Sequence, residues 1–452
     1  MKPRFALALL GIAFACGCAA QNPDDSFDSV QTIILKRIGQ HVQWNRHGKD
    51  DQAAAQAVAG LLAKDLTDET AVQIALLNNR ELQATFEDLG IAQADLVQAG
   101  LLKNPVFSAA FEAADAGRGI KLQMSVVEDF ISILQIPLRK RIAGADLRGA
   151  EVLSAKAAVD LAERVRAAVV RQQAAQALLD LRTTQKQSAE AGLDLAQRMR
   201  QAGNTSDLEL YQRQVRREEA EVNLLAAQQT VSDGREELNV LLGLDGEQIK
   251  WTISGKLDDL PDAETSTEGL ESLAAQSNFD LAAMRWQFDQ AAAKADIAKS
   301  YGWLNDATIG PSVEKEADHG PWETGGTVSV PLPIFDFGQA EKARAIGEFR
   351  RQYDRYLAKS VEVRSAARTA ASNLTTARLR AASLGNVIAP LRKKILDQMQ
   401  LQYNGMLAGA FDLLEARDNQ TDADAQAVEA LRDYWLARIR VESITAGSNG
   451  GS

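Results

Sequence analysis

The feature that most constrains this chain of 452 residues is an internal duplication. The run Asn79–Leu82 matches Asn278–Leu281, and Ala92–Leu96 matches Ala293–Ile297 with nearly the same offset. Gly203 lies opposite Gly405, so each copy spans about 200 residues. Because similarity at a fixed period marks a repeated structural unit, we expect two copies of one architecture, at residues 67–260 and 261–447.

Each copy opens with a helix and then changes to the alternation of a strand. Thr67, followed by two acidic residues, is a helix-start signal, and an apolar stripe continues to about Leu102. Apolar residues then alternate with mostly polar ones in two runs, Phe107, Ala109, Phe111 and Ala113, then Ile120, Leu122, Met124 and Val126. This period of two predicts β-hairpins at residues 105–134 and 307–333. Pro311 marks an edge or bulged strand in the second copy.

A long helical hairpin follows each pair of strands. No proline occurs between Pro137 and Pro261, and the composition strongly favours helix. We predict helical hairpins at residues 139–243 and 338–445, with breaks at Ala202–Ser206 and Asn404–Gly405. The first long helix would span ~95 Å at ~1.5 Å per residue. Pro390 should kink the second, and residues 448–452 are expected to form a flexible tail.

The N-terminus has the pattern of a cleaved export signal. Lys2 and Arg4 precede a short apolar stretch, and Ala15-Cys16-Gly17-Cys18 resembles a bacterial lipobox. We predict a signal peptide at residues 1–17, a lipid on Cys18, and a lipid-anchored segment at residues 18–66. An ordinary signal peptide cut near Ala20 is the alternative. No apolar run long enough for a transmembrane helix occurs elsewhere.

Composition excludes several classes of protein. The chain has 50 Lys and Arg against 61 Asp and Glu, a net charge of -11, which argues against a nucleic-acid binder. Three His and two Cys leave almost no ligands for a zinc or iron–sulfur site. No nucleophile elbow, phosphate-binding loop or dinucleotide motif stands in a suitable context. We therefore predict a non-enzyme with no metal site and no cofactor besides the lipid on Cys18.

The strands suggest an assembly of several copies. Four strands of about ten residues match tilted transmembrane strands, but known membrane barrels begin at about eight strands and cannot leave an open edge in lipid. Three copies would supply twelve strands and enclose a lumen. The predicted fold class is therefore mainly α, with long coiled-coil hairpins forming an α-barrel and four transmembrane β-strands per protomer of a homotrimer.

The chain resembles the TolC-like outer-membrane factor family. The resemblance rests on the duplication, the lipobox, the run Val330–Gly338 before a long helix, and Ala430–Arg438 near the C-terminus. In the first copy, Ile136–Arg141 lacks the aromatic-Asp-Gly part of the family pattern. The resemblance implies an outer-membrane barrel, a periplasmic helical tunnel, and an equatorial wrap that includes residues 18–66.

The function implied by the resemblance is that of an exit duct of a tripartite efflux system. Such a duct passively conducts what an inner-membrane pump, of the RND type, and a periplasmic adaptor deliver. The chain would lie in the outer membrane, anchored by lipid and reaching into the periplasm. A periplasmic adaptor and a structural coiled-coil lipoprotein are the alternatives. Arg37–Arg46 is similar to ducts for heavy metals, but metal, drug and other cargo all stay open.

The resemblance also assigns roles at the two helical breaks. Asp412 and Glu415 follow Tyr403 at the spacing of the family's periplasmic gate, and they share one helix face. The alternative is that they are acids favoured near a helix start. Ala408 stands where some members have an Arg that holds the gate closed.

The remaining predicted residues are those of the adaptor-contacting tips, for which a simple capped turn is the alternative. They are Gly203, Ser206, Asp207, Leu208, Gly405 and Met406.

Overall fold

The computed structural model describes most of the chain, with short gaps. The described residues are 24–46, 48–113, 120–253, 256–301, 307–315, 321–332 and 334–448. The predicted signal peptide, Cys18 and residues 449–452 of the predicted tail lie outside them.

The chain divides into two compact units. The strand unit comprises the residues up to Val30, Phe86–Leu153 and Asp280–Lys359. The hairpin unit comprises Gln31–Thr85, Ser154–Phe279 and Ser360–Ser452.

The first half of the chain runs from short helices through two strands into a long helical hairpin. Its elements are α1 (Asp24–Ile38), α2 (Lys49–Leu62), α3 (Asp68–Asn78), α4 (Arg80–Gly100), β1 (Val106–Ala113), β2 (Ile120–Asp129), α5 (Phe130–Gln201) and α6 (Asp207–Leu242).

The second half repeats this order. Its elements are α7 (Leu270–Ser277), α8 (Phe279–Tyr301), β3 (Thr308–Lys315), β4 (Trp322–Ser329), α9 (Gln339–Ser383), α10 (Ala389–Asn404) and α11 (Ala410–Ala446). The described part of the chain is thus mainly α with four strands, as predicted. None of the described helices combines the length and hydropathy needed to cross a membrane.

The strands form one antiparallel sheet in the order β1-β2-β3-β4. Phe107 pairs with Val126 and Phe111 with Leu122, so the alternating apolar residues of β1 and β2 lie opposite one another. Phe107, Phe111 and Val126 are exposed in the single chain. The sheet therefore presents an apolar surface, while β1 and β4 are its outer strands.

Of the two alternatives for Pro311, an edge strand or a bulged strand, the edge strand is wrong. β3 is an inner strand that pairs with both β2 and β4. Its recorded pairs with β2 stop at Ser312 and resume at Ile309, leaving out Gly310 and Pro311. Proline has no N–H to donate, so an inner strand accommodates it only where the ladder is interrupted. A Cβ on Gly310 would lie only 1.9 Å from the Val126 carbonyl oxygen, which explains the neighbouring glycine.

The first long helix begins earlier than predicted. α5 starts at Phe130, directly after β2, and contains Pro137. The predicted hairpin end at residue 134 and helix start at residue 139 are therefore wrong. Asp129 supplies the start, because its carboxylate accepts a 3.0 Å hydrogen bond from the Ser132 backbone N–H. This bond satisfies one of the donors that a helix start leaves open.

The helix predicted from Thr67 to about Leu102 is two helices. Thr67 is the N-cap of α3, and its hydroxyl accepts from the Thr70 backbone N–H at 3.3 Å. Asn79 then adopts an extended conformation between α3 and α4, and Asn278 does the same between α7 and α8. The repeated asparagines of the sequence thus mark the same break in both copies.

Each asparagine break packs against the end of a returning helix in the hairpin unit. The Asn79 side-chain amide donates to the Leu241 carbonyl at 2.9 Å, beside Gly243. The Asn278 amide donates to the Gly447 carbonyl at 3.4 Å. Both glycines have positive φ and lie so close to the break that a Cβ would clash with its backbone. The duplication is therefore preserved in three dimensions at these two junctions.

The second long helix is interrupted where proline occurs. A π-helical turn, Leu384–Ile388, lies between α9 and α10, immediately before Pro390. Proline removes one N–H from the i→i−4 ladder, and a π turn is one way for a helix to pass such a defect. The helix is thus irregular next to Pro390, and the kink stays a prediction.

Candidate functional site

The two breaks between long helices lie in the hairpin unit and define the candidate site. The first turn is Ala202–Ser206, between α5 and α6, and the second turn is Gly405–Gly409, between α10 and α11. In the first turn Gly203 has φ of 75°, and the Asn204 N–H reaches back to the Met199 carbonyl at 2.8 Å. Glycine adopts this left-handed conformation without steric cost.

The second turn has the same hydrogen-bond pattern as the first. Its left-handed residue lies one position after Gly405, the residue that the sequence aligned with Gly203. The Leu407 N–H donates to the Gln402 carbonyl at 2.8 Å, and the left-handed residue is Met406, with φ of 59°. Gly203 therefore corresponds to Met406 in conformation, and its alignment with Gly405 is wrong by one position. The Met406 side chain is 93% exposed, so no tertiary contact within the chain explains its conformation.

The predicted adaptor-contacting residues lie at the surface of these turns. Leu208 is exposed at the start of α6, next to Asp207, and Ser206 caps the helix by accepting from the Glu209 N–H at 3.3 Å. Arg200 forms a two-pronged ion pair with Asp207, at 2.5 and 3.1 Å. The hydrogen bond from Arg200 lowers the pKa of the Asp207 carboxyl below its ordinary value. This pair joins the end of α5 to the start of α6 across the first turn.

The predicted gate residues lie at the start of α11, and one of them has a local role. The Asp412 carboxylate accepts from the Gly409 backbone N–H at 2.9 Å, which closes the first turn of the helix. Glu415 lies one turn further along, and both carboxylates are exposed, as is Tyr403 at the end of α10. Asp412 therefore has the helix-start role in the single chain, while the gate role stays a prediction about the assembly.

A second group of carboxylates on α11, which the sequence analysis missed, is held by neighbouring helices. Asp418 accepts from the Ser188 hydroxyl of α5 at 3.1 Å and lies 3.5 Å from Arg216 of α6. Asp422 accepts from the Gln185 amide of α5 at 2.5 Å and lies 3.6 Å from Arg182. Burial raises the pKa of the Asp418 carboxyl above its ordinary value.

These contacts tie the returning helix of the second hairpin to both helices of the first. Arg213 of α6 adds a stacking contact, with its guanidinium 4.3 Å from the centre of the Phe411 ring. The spacing of Asp418 and Asp422, one turn apart on the same helix, was the available sequence signal. It did not stand out, because acids spaced in this way are common on solvated helices.

The site contains no group of His, Cys, Asp and Glu side chains suited to hold a metal ion, as far as the described residues extend. The arrangement consists instead of capped turns, exposed apolar side chains and acids on one helix. It suits docking to another helical surface and attraction of cations.

Comparisons with known proteins find a curated relative and several solved structures. No protein-family model matches the chain. A curated relative, the cobalt-zinc-cadmium resistance protein CzcC of Cupriavidus metallidurans, is 25% identical over 391 residues, which are 84% of this chain and 86% of that protein.

Solved structures match over nearly the whole chain. The outer membrane channel CmeC of Campylobacter jejuni superposes with a TM-score of 0.71 at 15% identity, over 92% of both chains. The outer membrane protein VceC of Vibrio cholerae gives a TM-score of 0.68 at 16% identity, over 84% of this chain and 96% of VceC. The resemblance found in the sequence is confirmed: this chain has the fold of the TolC-like outer-membrane factor family.

Proposed function

We propose that this chain is the outer-membrane channel of a tripartite efflux system, which passively conducts cargo from an inner-membrane pump and a periplasmic adaptor to the outside. One observation carries the proposal. A four-stranded sheet leads into two long helical hairpins, and this whole arrangement matches solved outer membrane channels over most of the chain.

The sheet supports a trimeric assembly. β1 and β4 each have one edge without a partner strand in the described part of the chain. An edge of this kind cannot remain open in lipid, and four strands are too few to close a barrel. Three copies would join β4 of one to β1 of the next and close a barrel of twelve strands. The long helices of the three copies would then surround one periplasmic tunnel.

The location follows from the same arrangement. The strands would lie in the outer membrane, and the two helical turns would form the periplasmic tip that meets the adaptor. The lipobox at Cys18 would add a lipid anchor. Intact-mass measurement of the mature protein should show an acylated N-terminal Cys18, whereas an unmodified N-terminus beyond Cys18 would exclude the anchor.

The predicted gate residues would line the proposed tunnel. In a trimer, Asp412 and Glu415 of three copies would place six carboxylates around one axis at the narrowest point. Such a ring attracts cations and repels anions. The capping bond of Asp412 uses one carboxylate oxygen, so the other oxygen would be available to the lumen of the assembly.

Heavy-metal cations are the cargo we propose. The support is the relative CzcC, whose name describes resistance to cobalt, zinc and cadmium. A duct that conducts a cation needs no fixed ligands, and an acidic chain with a net charge of -11 suits such cargo. The pump would then be of the RND type, acting through a periplasmic adaptor.

The two alternatives are less well supported. A periplasmic adaptor would need a lipoyl-like β-domain around one helical hairpin, and this chain instead has two hairpins joined to a single sheet. A structural coiled-coil lipoprotein would have no use for a sheet with an exposed apolar surface.

Deletion of the chain in its host tests the function. The deletion should lower tolerance to zinc, cobalt and cadmium salts and raise their retention in the cell, without changing tolerance to uncharged drugs. The purified protein should form discrete conducting pores in planar bilayers. Pores without a change in metal tolerance would contradict the cargo, and a protein that forms no pores would contradict the channel.

A further inference from the structure

The first long helix begins directly at one end of the sheet. β1 starts at Val106, which pairs with Val127 near the end of β2, and β3 starts at Thr308 opposite Asp129. The strands therefore meet their helices at this end, and Phe130 of α5 follows β2 without a linker. With the strands in the outer membrane, as proposed above, the first turns of α5 lie at the periplasmic boundary of that membrane.

One face of these turns carries exposed residues whose character changes along the helix. Phe130 is 49% exposed, Ile133 37% and Leu134 45%. Residues three and four apart lie on one helix face, and this face continues over three turns. We call its exposed residues the α5 stripe: Phe130, Ile133, Leu134, Pro137, Lys140 and Arg141. The stripe is apolar next to the sheet and basic further from it.

Helices of the same chain occupy both flanks of α5. On one flank the Lys140 side chain lies along Gly100 of α4, with its Cδ 3.5 Å from the position that a Cβ on this glycine would take. On the other flank Arg141 lies 3.6 Å from Asp296 and 3.9 Å from Asp289, both on α8. This order repeats that of the sheet, in which β2 lies between β1 and β3. The α5 stripe therefore belongs to a face of this layer of helices, which borders either lipid or the lumen.

The end of the stripe away from the sheet is positively charged. α5 contains no acid between Asp129 and Asp146, whereas Arg139, Lys140 and Arg141 are all basic. Lys140 forms no ion pair with another described residue, and the two acids near Arg141 leave it 49% exposed.

This charge belongs to the first copy alone. The second copy has no lysine or arginine between Trp322 and Lys342. The basic residues of the first copy thus stand in the run Ile136–Arg141, which lacks the aromatic-Asp-Gly part of the family pattern.

We propose that the α5 stripe binds an anionic phospholipid of the adjacent leaflet, with its apolar residues against the acyl chains and Lys140 and Arg141 at the headgroup phosphate. A contiguous exposed apolar surface marks contact with a membrane or a protein, and a lumen that conducts hydrated cations would not cover it. The inference rests on the proposed function and deepens it by assigning a lipid site to the first copy.

The dimensions of the stripe agree with such a site. Lys140 lies six residues beyond Leu134, which is ~9 Å along the helix. Long basic side chains near a membrane keep their stems along apolar surface and extend the charged group to the interface. An anionic lipid surface attracts each of these charges.

Lipid binding by the full-length protein in detergent tests the headgroup contact. Native mass measurement should show retained phosphatidylglycerol and little phosphatidylcholine with the same acyl chains. Lys140→Gln with Arg141→Gln should lower the affinity for phosphatidylglycerol by roughly ten- to thirty-fold, whereas Lys140→Arg should keep it. Arg148→Gln is the matched control, because Arg148 is an exposed arginine of the same helix about 12 Å further from the sheet. This control should change the affinity little.

Fluorescence quenching in vesicles tests the orientation of the stripe without altering its charge. A fluorophore on Leu134→Cys should be quenched by nitroxide-labelled phospholipid in vesicles of phosphatidylglycerol and phosphatidylcholine. The same fluorophore on Gln135→Cys is the control, because the half-buried Gln135 points about 100° away around the helix. Its quenching should be weaker, and the chain without either substitution gives the background from the native cysteines.

The possible outcomes separate this inference from the proposed function. Equal retention of the two lipids, or displacement of phosphatidylglycerol by an equal concentration of inorganic phosphate, would overturn the lipid site. Quenching at Leu134→Cys by aqueous iodide alone would assign the stripe to the lumen, and protection from both quenchers would assign it to a neighbouring copy. Each of these results would overturn the inference and leave the channel intact. A protein that does not float with the vesicles would instead contradict the proposed function.

Discussion

The two long helices that lead into the turns share an ancestry in the sequence but differ in their surroundings. Near its end, α5 has buried Ser188, Gly192 and Ala196, and Ser188 bonds to Asp418 of α11. The corresponding α10 buries only Ala389 among its described residues. The first hairpin therefore holds α11 within the same chain, while the leading helix of the second hairpin has most of its apolar surface uncovered.

This difference shows that two copies of a duplicated sequence can make different packing contacts after a few local substitutions. Small residues on α5 allow α11 to approach closely; the Leu414 side chain would lie 3.3 Å from a Cβ on Gly192. On α10 the large side chains face outward, and the π turn at Leu384–Ile388 interrupts the helix that carries them. We interpret α5 as a fixed support within the chain and α10 as a helix completed by assembly.

The largest expected effect comes from removing one leucine from each of the two long helices. Leu161 of α5 is 1% exposed and Leu391 of α10 is 51% exposed. Leu161→Ala should lower the free energy of unfolding by about 2–5 kcal/mol, because it leaves a cavity. Leu391→Ala should cost the single chain less than about 0.5 kcal/mol.

Thermal unfolding followed by circular dichroism measures both variants. Leu391→Ala should act instead on the stability of the trimer, which native mass measurement follows. Equal losses of chain stability for the two variants would contradict the contrast between the buried face of α5 and the uncovered face of α10.

The next effect concerns the left-handed residue in each turn. Gly203→Ala should lower the stability of the first turn by about 1–2 kcal/mol, since a side chain is disfavoured at positive φ. Met406→Gly should stabilise the second turn by a similar or smaller amount. Hydrogen exchange of the amides in each turn measures both effects. An unstable Met406→Gly variant would show that the exposed methionine has a contact outside the single chain.

The gate prediction compares acids at the two turns. Asp412→Asn with Glu415→Gln should lower cation selectivity in planar bilayers by roughly five-fold, as expected for about 1 kcal/mol between charges near each other in water. Neutralising Asp207 and Glu209 at the first turn is the matched control and should change selectivity little. The effect should fade at ~1 M salt, where the Debye length is ~3 Å. Unchanged selectivity at low salt would leave Asp412 and Glu415 with helix-start roles alone.

The smallest effect is a pH dependence of opposite sign at two carboxylates. The pKa of Asp207 is lowered from 3.8 by Arg200, so its ion pair is stabilising above 3.8 and is lost as the pH falls through the lowered pKa. The pKa of Asp418 is raised from 3.8, chiefly by burial and despite Ser188 and Arg216. Ionisation of Asp418 therefore reduces stability as the pH rises from 3.8 through the raised pKa.

Hydrogen exchange at neutral and acidic pH, corrected for the intrinsic rates, separates the two sites. Acidic pH should lower the exchange protection of the amides in the first turn. It should raise the exchange protection of the amides around Asp418. Asp207→Asn should abolish the first response, and Asp418→Asn the second. The same sign at both sites would contradict the assigned causes of the two shifts.

Much of the fold could be predicted from the sequence because its signals are local and repeated. The alternation of Phe107, Phe111 and Leu122 predicted the hairpin, and the proline-free run after Pro137 predicted the long helix. The start of that helix could not be placed, because Pro137 is a stronger stop signal than Asp129 is a start signal. Asp129 starts the helix because its carboxylate accepts a hydrogen bond from the Ser132 N–H. This bond depends on the strand that positions Asp129.

At the candidate site the sequence predicted the turns and their acids but not their partners. Asp412 and Glu415 were assigned from the family resemblance, whereas Asp418 and Asp422 were missed. What distinguishes the second pair is the approach of Ser188, Gln185 and Arg216 from a different hairpin. Contacts across more than two hundred residues leave no periodic signal in a single sequence.

The sequence by itself determined the duplication, the order of strands and helices, and the family resemblance, because periodicity and glycine or proline positions act within a few residues of chain. Only the tertiary structure decided that β3 is an inner strand, that Met406 takes the left-handed position, and that Asp418 and Asp422 of α11 contact the first hairpin. Each of these depends on which segments pack together. Whether a side chain is buried, capped or exposed depends on residues that are distant in sequence. Those residues become its neighbours only in the folded chain.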